Sequence, residues 1–282
     1  MTALENIRLP KGHLIGIQNA KTQAGEALGF LTGVMYLAPH ALSGFNVCAS
    51  SSPDCRRDCL YSSGRGKLPT TKDARLTRTR LYFEAREAFM QKLIYEIAAL
   101  MALAFANGLR LAIRLNGTSD ILWERVTAAH TAARHTSIMQ EFPLVQFYDY
   151  TKHEKRRAIP GNYHLTFSAQ SHTLEKAFAF IAEGRAVCAV VSEATHARLL
   201  EGATRSQSNM RFHDAASHDA RFLDPPNSVG LLVPKGTLRR ETPQTSTLIL
   251  SEQAAIELGA RAFRAHNATR VSRLVFRGEA FA

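Results

Sequence analysis

Leu109-Arg-Leu-Ala-Ile-Arg-Leu-Asn-Gly-Thr-Ser-Asp120 is an apolar, β-prone run that stops in a polar turn. The same shape recurs downstream. Leu144–Tyr148 runs into Asp149-Tyr-Thr-Lys152, Tyr163–Phe167 into Ser168-Ala-Gln-Ser171, Ala186–Val191 into Ser192-Glu193, and Val229–Val233 into Pro234-Lys235-Gly236. Helical stretches separate these runs: Ile121–His135, Leu174–Ala182, and a short helix from Ser192-Glu193 through Leu200. Alternating strands and helices predict a parallel sheet wound by right-handed crossovers. Apolar strand bodies with reactive carboxyl ends are the pattern of an α/β barrel, whose mouth carries the chemistry. The expected fold is a single α/β domain over residues 1–282. Its form is a full or partial (β/α) TIM-like barrel of about six to eight strands.

Toward the N-terminus, residues 1–30 are weakly patterned, with one short strand at His13–Gln18. Phe30–Leu37 reads as the first core strand and feeds a loop over residues 39–69, too long for a simple connector. Thr70 or Thr71 then caps a helix reaching Asn107, with Gly108 just beyond its end. Its apolar stripe is Leu76, Leu81, Phe83, Phe89, Leu93, Ile94, Ile97 and Leu100, which leaves the arginines of Lys72–Arg86 on other faces. At the other end, residues 251–282 read as a helix over Ser251–His266 and a last strand at Ser272–Phe276.

The loop over 39–69 contains Cys48-Ala-Ser-Ser-Ser-Pro-Asp-Cys55-Arg-Arg-Asp-Cys59 and, shortly after, Gly64-Arg-Gly66. Three of the chain's four cysteines thus lie in a C-x6-C-x3-C pattern. Three neighbouring thiolates suit one soft metal centre, either zinc or three irons of a [4Fe–4S] cluster. A disulfide with a spare thiol, or three unrelated thiols, are the structural alternatives. Cys188 lies within an apolar strand and reads as a small buried hydrophobe.

Composition is ordinary for a globular chain, with 45% hydrophobic and 21% charged residues and a mean hydropathy of −0.15. No apolar run approaching the ~20 residues of a membrane span is evident, and the N-terminus lacks the layout of a secretory signal. A cytoplasmic protein with reduced thiols is expected. The formal net charge of +11 would draw the chain to nucleic acid or a phosphorylated substrate. The alternative is an ordinary basic surface.

In a barrel, Asn116, Thr118, Ser119 and Asp120 would converge with Asp149, Tyr150, Thr151 and Lys152, and with Ser168, Gln170 and Ser171, then Ser192, Glu193 and Lys235. Such a mouth offers hydrogen bonds to a ribose or base, lysine for phosphate or carboxylate, and carboxylates for acid/base work. Turn-forming and helix-capping are the competing roles, above all for Asp120 and Ser171. His213, Asp214, His218, Asp219 and Asp224 form a second group of possible ligands, or a polar loop before Pro225-Pro226. The chain has no GxGxxG, GxxxxGK[ST], His-Glu-x-x-His or Gly-x-Ser-x-Gly motif.

Leu37-Ala-Pro39, the Cys48–Cys59 block with Gly64-Arg-Gly66, Arg114–Asp120, Phe147–Lys152 and Asp219-x-Arg221-Phe-x-Asp224 together resemble the phage- and plasmid-borne gene product 88 family. That family has no assigned activity, and the resemblance covers roughly residues 15–240. The chain is also distantly similar to radical S-adenosylmethionine (SAM) enzymes, which have a partial (β/α)6 barrel. Those enzymes hold a [4Fe–4S] cluster on three cysteines after the first strand, usually spaced C-x3-C-x2-C. The resemblance implies that Cys48, Cys55 and Cys59 hold three irons while the open iron chelates SAM. Asn116, Ser119, Asp120 and Ser168 would hold the cosubstrate, and Asp149, Tyr150 and Lys152 would face a nucleotide or nucleic-acid substrate. Two rivals stand beside it. One is a zinc-stabilised basic module that binds nucleic acid or a host protein. The other is a Mg²⁺-dependent nuclease using Asp120, Asp149 and the Asp214–Asp224 carboxylates.

Overall fold

The computed structural model describes residues 12–17, 24–128, 136–205 and 208–276. It is a mixed α/β structure with eight strands, seven of which run parallel to a neighbour. The chain divides into two compact units: residues 1–164 with 218–222, and residues 165–217 with 223–282.

In the first unit, β1 (Ile15–Gly16) pairs antiparallel with β2 (Phe30–Met35). β2 runs parallel to β3 (Arg110–Arg114), which runs parallel to β4 (Gln146–Thr151). Strand alternation sends Ala112 and Tyr148 to one face, where they pack with Phe30 and Phe222. The other face, with Phe147 and Asp149, leads into a fully buried interior that holds Trp123 and Phe89. Gly33 keeps β2 close to its neighbours, since a Cβ there would lie 2.6 Å from the Ile15 side chain and 2.9 Å from that of Ile113.

The expected helix from Thr70 to Asn107 is two helices, α2 (Pro69–Glu84) and α3 (Arg86–Ala106), with α1 (Pro53–Arg57) short and inside the cysteine loop. The cap of α2 is Leu68 rather than a threonine, and Pro69 opens the helix where its missing N–H costs nothing. The break at Ala85 has no glycine or proline. Arg86 folds back onto the Tyr82 ring (3.5 Å) and its Nε donates to Tyr82 O (2.6 Å), and Ala85 leaves helical geometry.

The two helices bury different faces. α3 buries Phe89, Met90, Leu93, Ile97, Leu100 and Ala104, an apolar stripe. α2 instead buries Arg75, Thr79 and Tyr82, and the expected Leu76, Leu81 and Phe83 are only partly covered. At 21 residues, α3 is also long and apolar enough by composition to cross a membrane, which the sequence reading did not anticipate. Within its length Lys92 pairs with Glu96 (3.1 Å), and the Glu96 carboxylate accepts from the backbone N–H groups of Leu14 and Ile15.

The expected helix over Ile121–His135 is replaced, among its described residues, by a 3₁₀ turn at Trp123–Arg125 and a bridge between Thr127 and Ser137; residues 129–135 lie outside those described. Short α4 (Ile138–Glu141) follows under a Ser137/Gln140 capping box. β4 extends to Thr151, so Asp149 and Tyr150 are strand residues rather than residues beyond its end.

In the second unit, which begins at Leu165 within β5 (Tyr163–Ser168), β5, β6 (Ala186–Val190), β8 (Val229–Leu232) and β7 (Phe212–Asp214) are ordered β5-β6-β8-β7 and are all parallel. α5 (Leu174–Ala182), α6 (Glu193–Thr204) and α7 (Glu252–Phe276) complete it. Ser192 caps α6 by accepting from Thr195 N (3.2 Å). The core joins Phe167, Phe178, Phe180, Val187, Leu231 and Leu258. Ser272–Phe276, expected as a strand, is the last part of α7, because no glycine or proline interrupts the chain between residues 260 and 276.

Candidate functional site

The polar turn after β3 laces the cysteine loop to the sheet. Gly117 N donates to Met35 O (3.0 Å), Thr118 Oγ1 to Leu37 O (2.6 Å), and Asp120 N to Val47 O (2.8 Å). Only glycine fits at 117, since a Cβ would lie 2.6 Å from both Met35 O and the Tyr36 ring. From the helical side, Thr79 Oγ1 accepts from Ala38 N (2.8 Å) and donates to Arg75 O (2.8 Å). Within the loop, Ser52 caps α1 by accepting from Cys55 N (3.1 Å). Gly66 sits against Tyr61, whose carbonyl oxygen would be 2.2 Å from any Cβ.

This scaffold holds Cys48, Cys55 and Cys59, all half-buried and none in a disulfide. Cys48 Sγ accepts from His40 N (3.4 Å) and lies 3.7 Å from Thr118 O. Burial pushes the Cys48 thiol up to about 12 against the His40 hydrogen bond, and negative charge on Cys59, Cys55 and Asp120 adds to the rise. Burial also raises Cys59; the Tyr61 backbone opposes it, Cys55 adds to it, and Lys152 and Arg75 oppose it. Cys48 and Cys59 therefore share one electrostatic neighbourhood, in which their thiolates form readily only with a cation beside them. Among the described residues no three His, Cys, Asp or Glu side chains converge on a position for one ion.

Beneath the loop lies a dense polar interior. Asn116, 2% exposed, accepts at Oδ1 from Ser119 Oγ (2.8 Å), Ile121 N (2.9 Å) and Trp123 Nε1 (3.2 Å). Its Nδ2 donates to Ile121 O (3.0 Å) and Asp149 Oδ2 (3.2 Å). Asp149 is fully buried and accepts further from Asn116 N (2.7 Å) and the Tyr163 hydroxyl (2.8 Å). Burial pushes its carboxyl up to about 7, opposed by Arg114, Tyr163, Asn116 and Arg156. Arg156, itself buried, reaches Glu124 through Nε (3.0 Å) and Nη2, and Nη2 also donates to Tyr163 (3.0 Å). Arg114 pairs with Asp219 (2.9 Å), stands 4.0 Å from Asp149, and lies over the Tyr150 ring (4.8 Å).

These contacts fix what the sequence-predicted residues do. Asn116 and Ser119 close the turn on itself, and Asp149 is locked among donors. Asp120 caps no helix. Its carboxylate accepts from Thr151 Oγ1 and Lys152 N (both 2.8 Å), tying β4 to the turn after β3. Tyr150 is stacked by Arg114, and the Lys152 ammonium acts on Cys59. Ser168 ends β5 in the second unit. There, His196 meets Asp214 (3.2 Å) and His213 meets Asp224 (3.0 Å), as separate pairs. Ser171 opens a 3₁₀ turn ahead of α5, and Gln170 supplies the capping box.

Sequence reasoning missed Arg75, Tyr36, Arg114, Arg156, Glu124 and Tyr163. One signal was available: Arg75, Thr79 and Tyr82 recur at helical spacing, which marks a polar face as a candidate buried face. The match of Arg156 with Glu124 depends on a turn between strands and leaves no local pattern.

No curated protein and no solved structure matches the chain. The model of the gene product 88 family matches residues 13–251, a span that includes the cysteine loop, the turn after β3 and the acids of β4. The protein belongs to the gene product 88 family.

Proposed function

We propose that Cys48, Cys55 and Cys59 ligate a [4Fe–4S] cluster, and that the protein is a cytoplasmic radical SAM-like enzyme with a partial (β/α) barrel. Its substrate is a nucleotide or nucleic-acid-related molecule. The observation that carries this reading is the set of three half-buried thiols on one scaffolded loop, close enough that Cys55 adds to the ionisation cost of both Cys48 and Cys59. In a cluster each thiolate binds a different iron, so the sulfurs need not meet at one point, as a zinc ion would require. When bound, such a cluster supplies an open iron for SAM and the electron for its reductive cleavage.

Support for the barrel comes from β2, β3 and β4, parallel neighbours in chain order without the reversal of a doubly wound sheet. Asp120 and Lys152 would stand at the cluster, given their electrostatic reach to Cys48 and Cys59. Asn116 and Ser119 would act by holding the turn rather than by touching the cosubstrate. Reconstitution with iron and sulfide without oxygen tests the reading. It should give broad visible absorbance and about four irons per chain, and colourless, iron-free protein would end it.

A second reading, a nucleic-acid-binding module with a zinc-held loop, draws on Arg56, Arg65 and Lys67, all exposed on the cysteine loop. It predicts zinc without iron, and affinity for DNA or RNA that falls steeply with salt.

A further inference from the structure

Arg75 is 7% exposed, and its guanidinium carries no ion pair among the described residues. Its one hydrogen bond is long, from Nη1 to Tyr61 O (3.4 Å), and Nε is buried without an acceptor. The rings of Tyr36 (5.0 Å) and Tyr61 (5.3 Å) flank it, and Gly66 lies against it because a side chain there would press on Nη1. The other buried arginines among the described residues have an anionic or carbonyl partner at short range: Arg114 has Asp219, Arg156 has Glu124, and Arg221 has His218 O (2.5 Å). A guanidinium is never neutral in water, and burying one without an anion is costly. Thr79 fixes the helix at this point, since its hydroxyl is bonded both to Arg75 O and to Ala38 N. The backbone of Arg75 is therefore fixed, and the charges of Lys152 and Arg75 both favour ionisation of the Cys59 thiol.

We propose that Arg75, with Lys152, forms an anion subsite at the cysteine loop that takes the carboxylate or phosphate group of a small ligand. This rests on reading the loop as the functional site but requires no cluster. The planar fork of Arg75 gives the geometry for a bidentate contact, and the two tyrosine rings wall the site from water. Lys152 adds a point charge without directional demand. A carboxylate and a phosphate both satisfy this chemistry, and the two are distinguished by the probe.

The test uses the full chain, reduced and metal-free, in low-chloride buffer. Inorganic phosphate and acetate are titrated separately by calorimetry, and the rate of Cys59 alkylation by iodoacetamide is followed by peptide mass analysis. One or both anions should bind and slow alkylation of Cys59, while alkylation of Cys188 in β6 stays unchanged. Arg75→Met should weaken that binding ~10-fold or more, and Lys152→Ala by a smaller factor. Arg75→Lys should recover only part of the loss, because the fork is gone. If Arg75→Met does not fold, the alkylation rates of the wild-type chain and of Lys152→Ala decide the matter. No heat and no protection by either anion overturns the subsite, as does equal binding in wild type and Arg75→Met. Anion binding by a chain that takes up no iron would leave the subsite standing while the iron–sulfur reading fails. Iron uptake without anion protection would do the reverse.

Discussion

The first unit contains two polar regions, and they differ in how their charges are matched. Around Asp149, every charge meets an opposite one or a ring of donors: Arg114 meets Asp219, Arg156 meets Glu124, and Asp149 accepts from Asn116 and Tyr163. Around Cys59, Arg75 has no ion pair among the described residues, and Cys55 adds to the ionisation cost of both Cys48 and Cys59. The matched region is a scaffold, because each of its charges already faces an opposite one. The unmatched region is where binding would return the cost of burial.

The largest effect expected from breaking the scaffold is at Arg114. Arg114→Met strips Asp219 of its partner and leaves Asp149 facing one cation fewer, and chemical unfolding should show a loss of ~3–5 kcal/mol. Gly66→Ala should cost up to about 3 kcal/mol, because the Tyr61 carbonyl oxygen must move away from the new methyl group. In that variant the loop should also lose its metal uptake. Thr79→Val leaves the fully buried Ala38 N–H without an acceptor, and a melting experiment should register about 1 kcal/mol or somewhat more.

Smallest of all should be Arg75→Met in ligand-free protein, at about 1 kcal/mol or less, because it removes a buried charge that has no counter-charge. A cost at Arg75 equal to that at Arg114 would erase the distinction between the two regions. The pH dependence sharpens it further. The Asp149 carboxyl lies above its ordinary value in the folded chain, so the folded state holds the proton more tightly than the unfolded chain does. Its contribution to stability is then fully present below about pH 4 and is lost as pH rises toward about 7. Asp149→Asn should flatten that slope between the two limits, and an unchanged slope would mean that the carboxyl stays ionised throughout.

Much of the sheet could be read from the chain. Phe30–Met35, Arg110–Arg114, Ala186–Val190 and Val229–Leu232 are largely apolar β-prone runs, and burial of most of their residues gives them that composition. α5 runs over the expected Leu174–Ala182. β7 was not legible, because Phe212-His-Asp is too short to show a period of two. The helix expected after Asp120 fails for a tertiary reason. Asn116 captures the Ile121 N–H, and Asp120 spends its carboxylate on Thr151 and Lys152.

At the site, the cysteines were visible by clustering, and the strand-end acids by position. The division of labour among those acids was not. Asp149 and Asp120 look alike as strand-end carboxylates, yet one is fully enclosed and the other is the clasp between two strands. Arg75 was hidden because an arginine in a run of arginines reads as a solvated face, and only the turn of α2 toward the sheet buries it.

Metal content per chain, measured without oxygen in wild type and in single Cys48→Ser, Cys55→Ser, Cys59→Ser and Cys188→Ser variants, tests the central claim most directly. The account predicts about four irons with matching sulfide in wild type and in Cys188→Ser, and a loss of most of that iron in each of the other three. One zinc per chain, or an iron content indifferent to Cys48, Cys55 and Cys59, would contradict it.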